Sequence, residues 1–174
     1  RSFDDVPPGH WAYRSVETIF HRTVTLGCAP ASYCPEAPLT RAEMAALLLR
    51  AEHGPGWAPP VPTGTVFADV PAGHWAAGFI EQLAAEGITN GCEPGLFCPE
   101  RQINRAEMAV FLLRTEHGPG WVPPPPTGTV FADVPAGHWA AAFVEALASE
   151  GITLGCDVGR YCPDGAVSRA AAGH

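Results

Sequence analysis

Residues 91–109 read "GCEPGLFCPERQINRAEMA", and the same order of residue types stands at 27–45 as "GCAPASYCPEAPLTRAEMA" and at 155–173 as "GCDVGRYCPDGAVSRAAAG". The first half of each stretch is too rich in Gly and Pro for regular structure and predicts a turn-rich loop. The second half predicts a helix start. Asn104 and Thr40 stand as N-caps with Glu107 and Glu43 three residues on, the spacing of a capping box. In the third copy Ser168 can still cap, but Ala171 replaces the Glu, which predicts a weaker start. Met44, Leu47 and Leu48, and again Met108, Phe111 and Leu112, mark the apolar face of this second helix.

Working upstream, "FDDVPPGHWA" at Phe3 and "FADVPAGHWA" at Phe67 and Phe131 recur every 64 residues, and the cysteines and arginines keep the same register without insertion or deletion. A period of this length marks a repeat architecture. After "GHW", the positions Trp75, Phe79, Ile80 and Leu83, repeated as Trp139, Phe143, Val144 and Leu147, predict an amphipathic first helix. Gly87 and Gly151 stand where a C-cap glycine ends it. The organisation is a first copy at 1–54, a connector at 55–66, a second copy at 67–118, a connector at 119–130 and a third copy at 131–174. The third copy stops as its second helix begins and reads as incomplete. Both connectors, "PGWAPPVPTGTV" and "PGWVPPPPTGTV", are proline-dense and predict semi-rigid extended segments. Each copy is helix, loop, helix, too small to bury its apolar faces alone, so the copies pack on one another or on a neighbour. The fold class is mainly α.

The 174 residues carry a formal charge of −8, and 47% of them are apolar. All ten cations are arginines, with no basic cluster among them. Nucleic acid is thereby disfavoured as a partner, since phosphate neutralisation needs a basic surface. No apolar run approaches the roughly 18 residues of a membrane span, so no membrane insertion is expected. The sequence does not open on a charged leader with an apolar core, which reads as a leader removed or a fragment. Six cysteines in three evenly placed pairs favour an oxidising, extracellular compartment.

Cys28 and Cys34, Cys92 and Cys98, and Cys156 and Cys162 each enclose five residues. Local disulfides are one reading, each restricting the unfolded chain by about 2.4 kcal/mol in the loop-entropy picture. Zinc is the competing one, although structural zinc pairs stand closer and come two to a site. Arg41, Arg105 and Arg169 occupy a first helical turn, where the macrodipole disfavours a cation. Packing or a salt bridge accounts for them, or else an anion held jointly by the guanidinium and the helix N-terminal N–H groups. Asp5, Asp69 and Asp133 read as turn or cap residues. Trp11, Trp75 and Trp139 read as core, or alternatively as a surface on which a sugar ring packs. His10, His74 and His138, with His53 and His117, read as helix-end or surface residues. No metal-ligand spacing, nucleophile with its base, phosphate loop or cofactor motif is present, so no enzyme activity is expected.

Taken in order, Phe-x-Asp-Val, Trp, a helix, "GIT", "FCPE" and "NRAEMA" or "TRAEMA" resemble the S-layer homology domain, here in three tandem copies covering nearly the whole chain. The resemblance implies a pseudo-threefold prism with the first helices bundled centrally and grooves between neighbouring copies. The long connectors leave an extended array as the other arrangement. It also implies binding of secondary cell-wall polysaccharide, often pyruvylated, by a non-catalytic module holding an exported protein on the bacterial surface. Arg41, Arg105 and Arg169 match the "TRAE" arginine expected to meet an acidic sugar substituent. The Asp and Trp triplets match groove-lining residues. The alternative expectation is a structural subunit of a self-assembling layer or filament, the open end of the third copy being covered by a neighbouring molecule.

Overall fold

The computed structural model describes residues 1–173. Six helices follow one another: α1 (Tyr13–His21), α2 (Arg41–His53), α3 (Ala77–Ala85), α4 (Arg105–His117), α5 (Ala141–Ser149) and α6 (Arg169–Ala172). No strand forms among the described residues, which carry only isolated bridges. The fold is mainly α, as expected.

The capping boxes are complete. Thr40 accepts from the Glu43 amide and Asn104 from the Glu107 amide, with each Glu side chain returning to the cap amide. Ser168 caps α6 alone. The first helices start later than the apolar pattern implied. Trp75 and Trp139 precede α3 and α5 and are 58% and 63% exposed, so they do not belong to the buried face. Instead the imidazoles of His74 and His138 accept from the Ala76 and Ala140 amides and close the turn before each helix. At the other end Gly87, at φ +72°, takes the left-handed conformation that ends α3, and the Ile88 amide returns to the Leu83 carbonyl. This is a Schellman motif.

Three disulfides, Cys28–Cys34, Cys92–Cys98 and Cys156–Cys162, staple the loops. Between them, Gly91 lets the backbone fold onto the Leu96 carbonyl, where any Cβ would collide.

The copies close into a ring. The Leu39 amide donates to the Val167 carbonyl (2.8 Å), the Val167 amide to Ile103 (3.1 Å) and the Ile103 amide to Leu39 (2.9 Å). Each of the three residues is fully or almost fully buried. Around this triangle, the first two amides of every second helix donate into the next copy: Arg41 and Ala42 to Arg101 and Pro99, Arg105 and Ala106 to Gly165 and Pro163, Arg169 and Ala170 to Ala37 and Pro35. Of the two expected arrangements this is the prism, not the extended array.

The centre, however, is made by the second helices, not the first. α2 meets α4 directly, while α3 packs on α2 and α5 on α4 from outside. The composition of α2 explains this. Met44, Ala45, Ala46, Leu48 and Leu49 are all buried, more than one stripe can hold, and a helix apolar most of the way round belongs inside. In α4, Val110, Phe111 and Leu113 are buried, while Met108 and Leu112 are half-buried and line a groove.

Candidate functional site: the grooves between copies

The three arginines reach across copy boundaries, as a consequence of the ring. Arg41 Nε donates to the Phe97 carbonyl (2.8 Å), Arg105 Nε to Tyr161 (2.7 Å) and Arg169 Nε to Tyr33 (2.8 Å). Each guanidinium also lies over the ring whose carbonyl it holds, at 4.8 Å, 4.7 Å and 5.1 Å from the centroid. This packing offsets the macrodipole cost of a cation in a first helical turn.

Their ion pairs differ. Arg41 binds Glu107 Oε1 at 3.0 Å and Arg169 binds Glu43 Oε1 at 3.0 Å. The capping-box glutamate thus has two duties: one oxygen returns to its own cap, the other neutralises the arginine of the preceding copy. Position 171 is Ala, so Arg105 lacks that partner. Among the described residues no carboxylate lies within ion-pair distance of it, and its remaining polar contact is Thr153 Oγ1 at 3.4 Å. Arg41 and Arg169 are buried, whereas Arg105 is half-buried.

Two grooves run along these boundaries. One, of about 650 Å³, is lined by Arg105, Tyr161, Leu112 and Leu154 with Trp11 of the first copy at its edge. The other, of about 440 Å³, brings Asn90, Arg101, Arg114, Glu107 and Trp139 together over Arg41. Nη2 of Arg41 is buried with no hydrogen-bond partner. Burial pulls the Arg41 pKa down and Glu107 opposes that pull. Burial also pushes the Tyr161 phenol up to about 12, against the attraction of Arg105, so Tyr161 stays a neutral donor to the Arg105 carbonyl at 2.8 Å.

The helix N-terminal amides do not serve an anion here. The first two enter the next copy's loop and the third meets the cap side chain. These amides are therefore already committed and do not form the expected joint cradle with the guanidinium. The aspartates are similarly committed. Both oxygens of Asp69 accept loop amides, Phe97 at 2.9 Å and Cys98 at 2.7 Å, and Asp5 and Asp133 do the same for Tyr33–Cys34 and Tyr161–Cys162. Burial works against the Asp5 and Asp133 carboxylates, but these amides hold both below the ordinary range. The carboxylates thus position the stapled loop on which each arginine rests. Trp11 and Trp139 edge the two grooves; Trp75 is exposed on the second copy.

Two further glutamates were not singled out by their spacing. Glu81 accepts from the Thr63 and Gly64 amides, and Glu145 from Thr127 and Gly128, clamping each connector to the helix that follows it. The signal in the sequence was the pair "PTGTV" and Glu at a fixed distance of 17–18 residues.

The S-layer homology domain family matches this chain at residues 2–45, 66–109 and 130–172. A cellulosome-anchoring protein of Acetivibrio thermocellus is 30% identical over 149 residues, covering 80% of this chain and 30% of that protein. An S-layer protein of Bacillus licheniformis is 29% identical over 175 residues, covering 99% of this chain and 19% of that protein. A protein of Bacillus anthracis named as an uncharacterized cell wall amidase is 30% identical over 181 residues, 99% of this chain and 30% of its own length. The chain thus spans less than a third of each of these relatives.

Proposed function

Because the chain belongs to the S-layer homology domain family, we propose that it is a non-catalytic cell-surface anchoring module binding an acidic cell-wall polysaccharide in the grooves between copies. Three disulfides suit a chain exported into an oxidising space. The observation carrying the reading is Arg105: a half-buried guanidinium facing a groove, with no carboxylate of the described residues within ion-pair distance. A sugar carboxylate would supply the missing anion through charge-assisted hydrogen bonds. Trp11, 57% exposed at the edge of the same groove, offers an apolar face for the ring. A pyruvate ketal, with its carboxylate beside a methyl group, fits the mixture of Arg105, Leu112 and Leu154.

The test is binding to purified cell-wall polysaccharide before and after chemical removal of its acidic substituents. Arg105→Ala is expected to weaken binding by about tenfold to a hundredfold, the range for a charged hydrogen bond, with thermal melting confirming the fold. Equal binding by Arg105→Ala and the parent protein would overturn the reading. The likeness to an S-layer protein over 99% of the chain favours a second one, a subunit of a self-assembling layer. Concentration-dependent light scattering without polysaccharide binding would support that reading instead.

A further inference from the structure

We propose that Glu52, His53 and Glu86 form a binding site for a divalent transition-metal ion of the zinc class, at the junction of the first and second copies. Glu52 and His53 end α2, and Glu86 is the C-cap of α3. One ligand atom from each lies within 4.8 Å of the others. A tetrahedral ion with bonds of 2.0–2.1 Å sets its ligand atoms about 3.4 Å apart, so a rotamer adjustment of the exposed Glu52 closes the set.

Three features support a cation at this point. Two helices end here, and their C-terminal dipoles both favour positive charge. Two carboxylates converge on one imidazole, an arrangement that a divalent ion neutralises. The ligands are also held from behind. The Trp57 ring stacks on His53 at 4.3 Å and 20°, fixing the imidazole plane, and Gln82 Nε2 donates to Glu86 Oε1 at 2.7 Å. Such outer contacts orient metal ligands. One imidazole nitrogen with two carboxylates suits zinc, cobalt or manganese rather than calcium, which takes oxygen ligands in larger number. Three protein ligands leave a position for water.

The next junction is a built-in comparison. His117 meets Glu150 at 2.8 Å and stacks on Trp121 at 4.3 Å and 20°. Glu116, His117 and Glu150 repeat the three ligand types there, but Ala146 stands where Gln82 does, and among the described residues only the first junction brings three ligand atoms this close. At the start of the ring Arg22 occupies the position of Glu86.

The experiment is titration of the tag-free, disulfide-intact protein with Zn2+ by calorimetry and with Co2+ by visible absorption. One ion per chain is expected, with affinity lowered at least about tenfold in Glu52→Gln and in His53→Ala and unchanged in His117→Ala. Glu52 is exposed, so Glu52→Gln keeps the test open if His53→Ala unfolds. Identical Zn2+ affinity in the parent and Glu52→Gln proteins, or Ca2+ competing as well as Zn2+, would overturn the site.

Discussion

Thr23 and Ala31 hold left-handed backbone, at φ +59° and +60°, at positions where the other two copies have Gly87 and Gly151, and Gly95 and Gly159. Both are exposed, so nothing repays the clash between Cβ and backbone. A left-handed residue with a Cβ costs roughly 1 kcal/mol or more, partly offset because glycine gives the unfolded chain more freedom. Thr23→Gly is therefore expected to stabilise the protein by about 0.5 kcal/mol, a rise in melting midpoint of about 1–2 °C for a chain of this size. A lowered midpoint would mean that the Thr23 hydroxyl, which donates to the Arg22 carbonyl at 2.7 Å, matters more than the backbone. At this scale much was legible. The capping boxes, the cysteine pairs and the terminal glycines are local chemistry, readable from residues within one turn or loop. The partners of Asp69 were not, because its loop amides lie 28 and 29 residues away and nothing in "ADVP" names them.

The connectors are the elements that the sequence left loosest, and the structure fixes them through single carboxylates. Burial disfavours ionised Glu81 and Glu145, but the connector amides and the Thr63 or Thr127 hydroxyl hold both below the ordinary glutamate value of 4.5. Asp5 and Asp133 are likewise held below 3.8 by their loop amides. The unfolded chain binds protons first, so this stability is fully present above about pH 4.5 and is lost as pH falls through the lower folded-state values. Melting midpoints should therefore hold between pH 6 and 5 and decline below about 4.5. Glu81→Gln with Glu145→Gln should lower the midpoint at pH 6 and flatten the acid decline. An equally steep decline in the double variant would assign it to the aspartates and to Glu17, which the Ser2 amide likewise holds below 4.5. Proline density had predicted extended connectors, but periodicity is silent on which glutamate of α3 or α5 receives them.

Ring closure is a property of the whole molecule, and it joins residues 64 or 128 apart that no local pattern connects. This is why the sequence left prism and array both open, and why Ala171 read only as a weaker helix start. Its second consequence, that Arg105 one copy away finds no carboxylate among the described residues, shows only once the second and third copies are packed together. Arg169 tests the closure, since it binds the Tyr33 carbonyl and Glu43 of the first copy. In an open array that boundary would not exist, and Arg169→Ala would be a surface change within about 0.5 kcal/mol. In the closed ring it leaves Glu43 without its cation. Removing one partner of a buried pair costs about 3–5 kcal/mol. Arg41, 2% exposed against Glu107 at 13%, should show a loss at the low end of that range when changed to Ala, because Glu107 keeps the exposed Arg101 as a second cation. Glu43 is 32% exposed and can recover water, so Arg169→Ala should cost about 2 kcal/mol. Denaturant unfolding of the two variants gives the comparison directly. A loss in Arg41→Ala with none in Arg169→Ala would mean that the first and third copies part in solution.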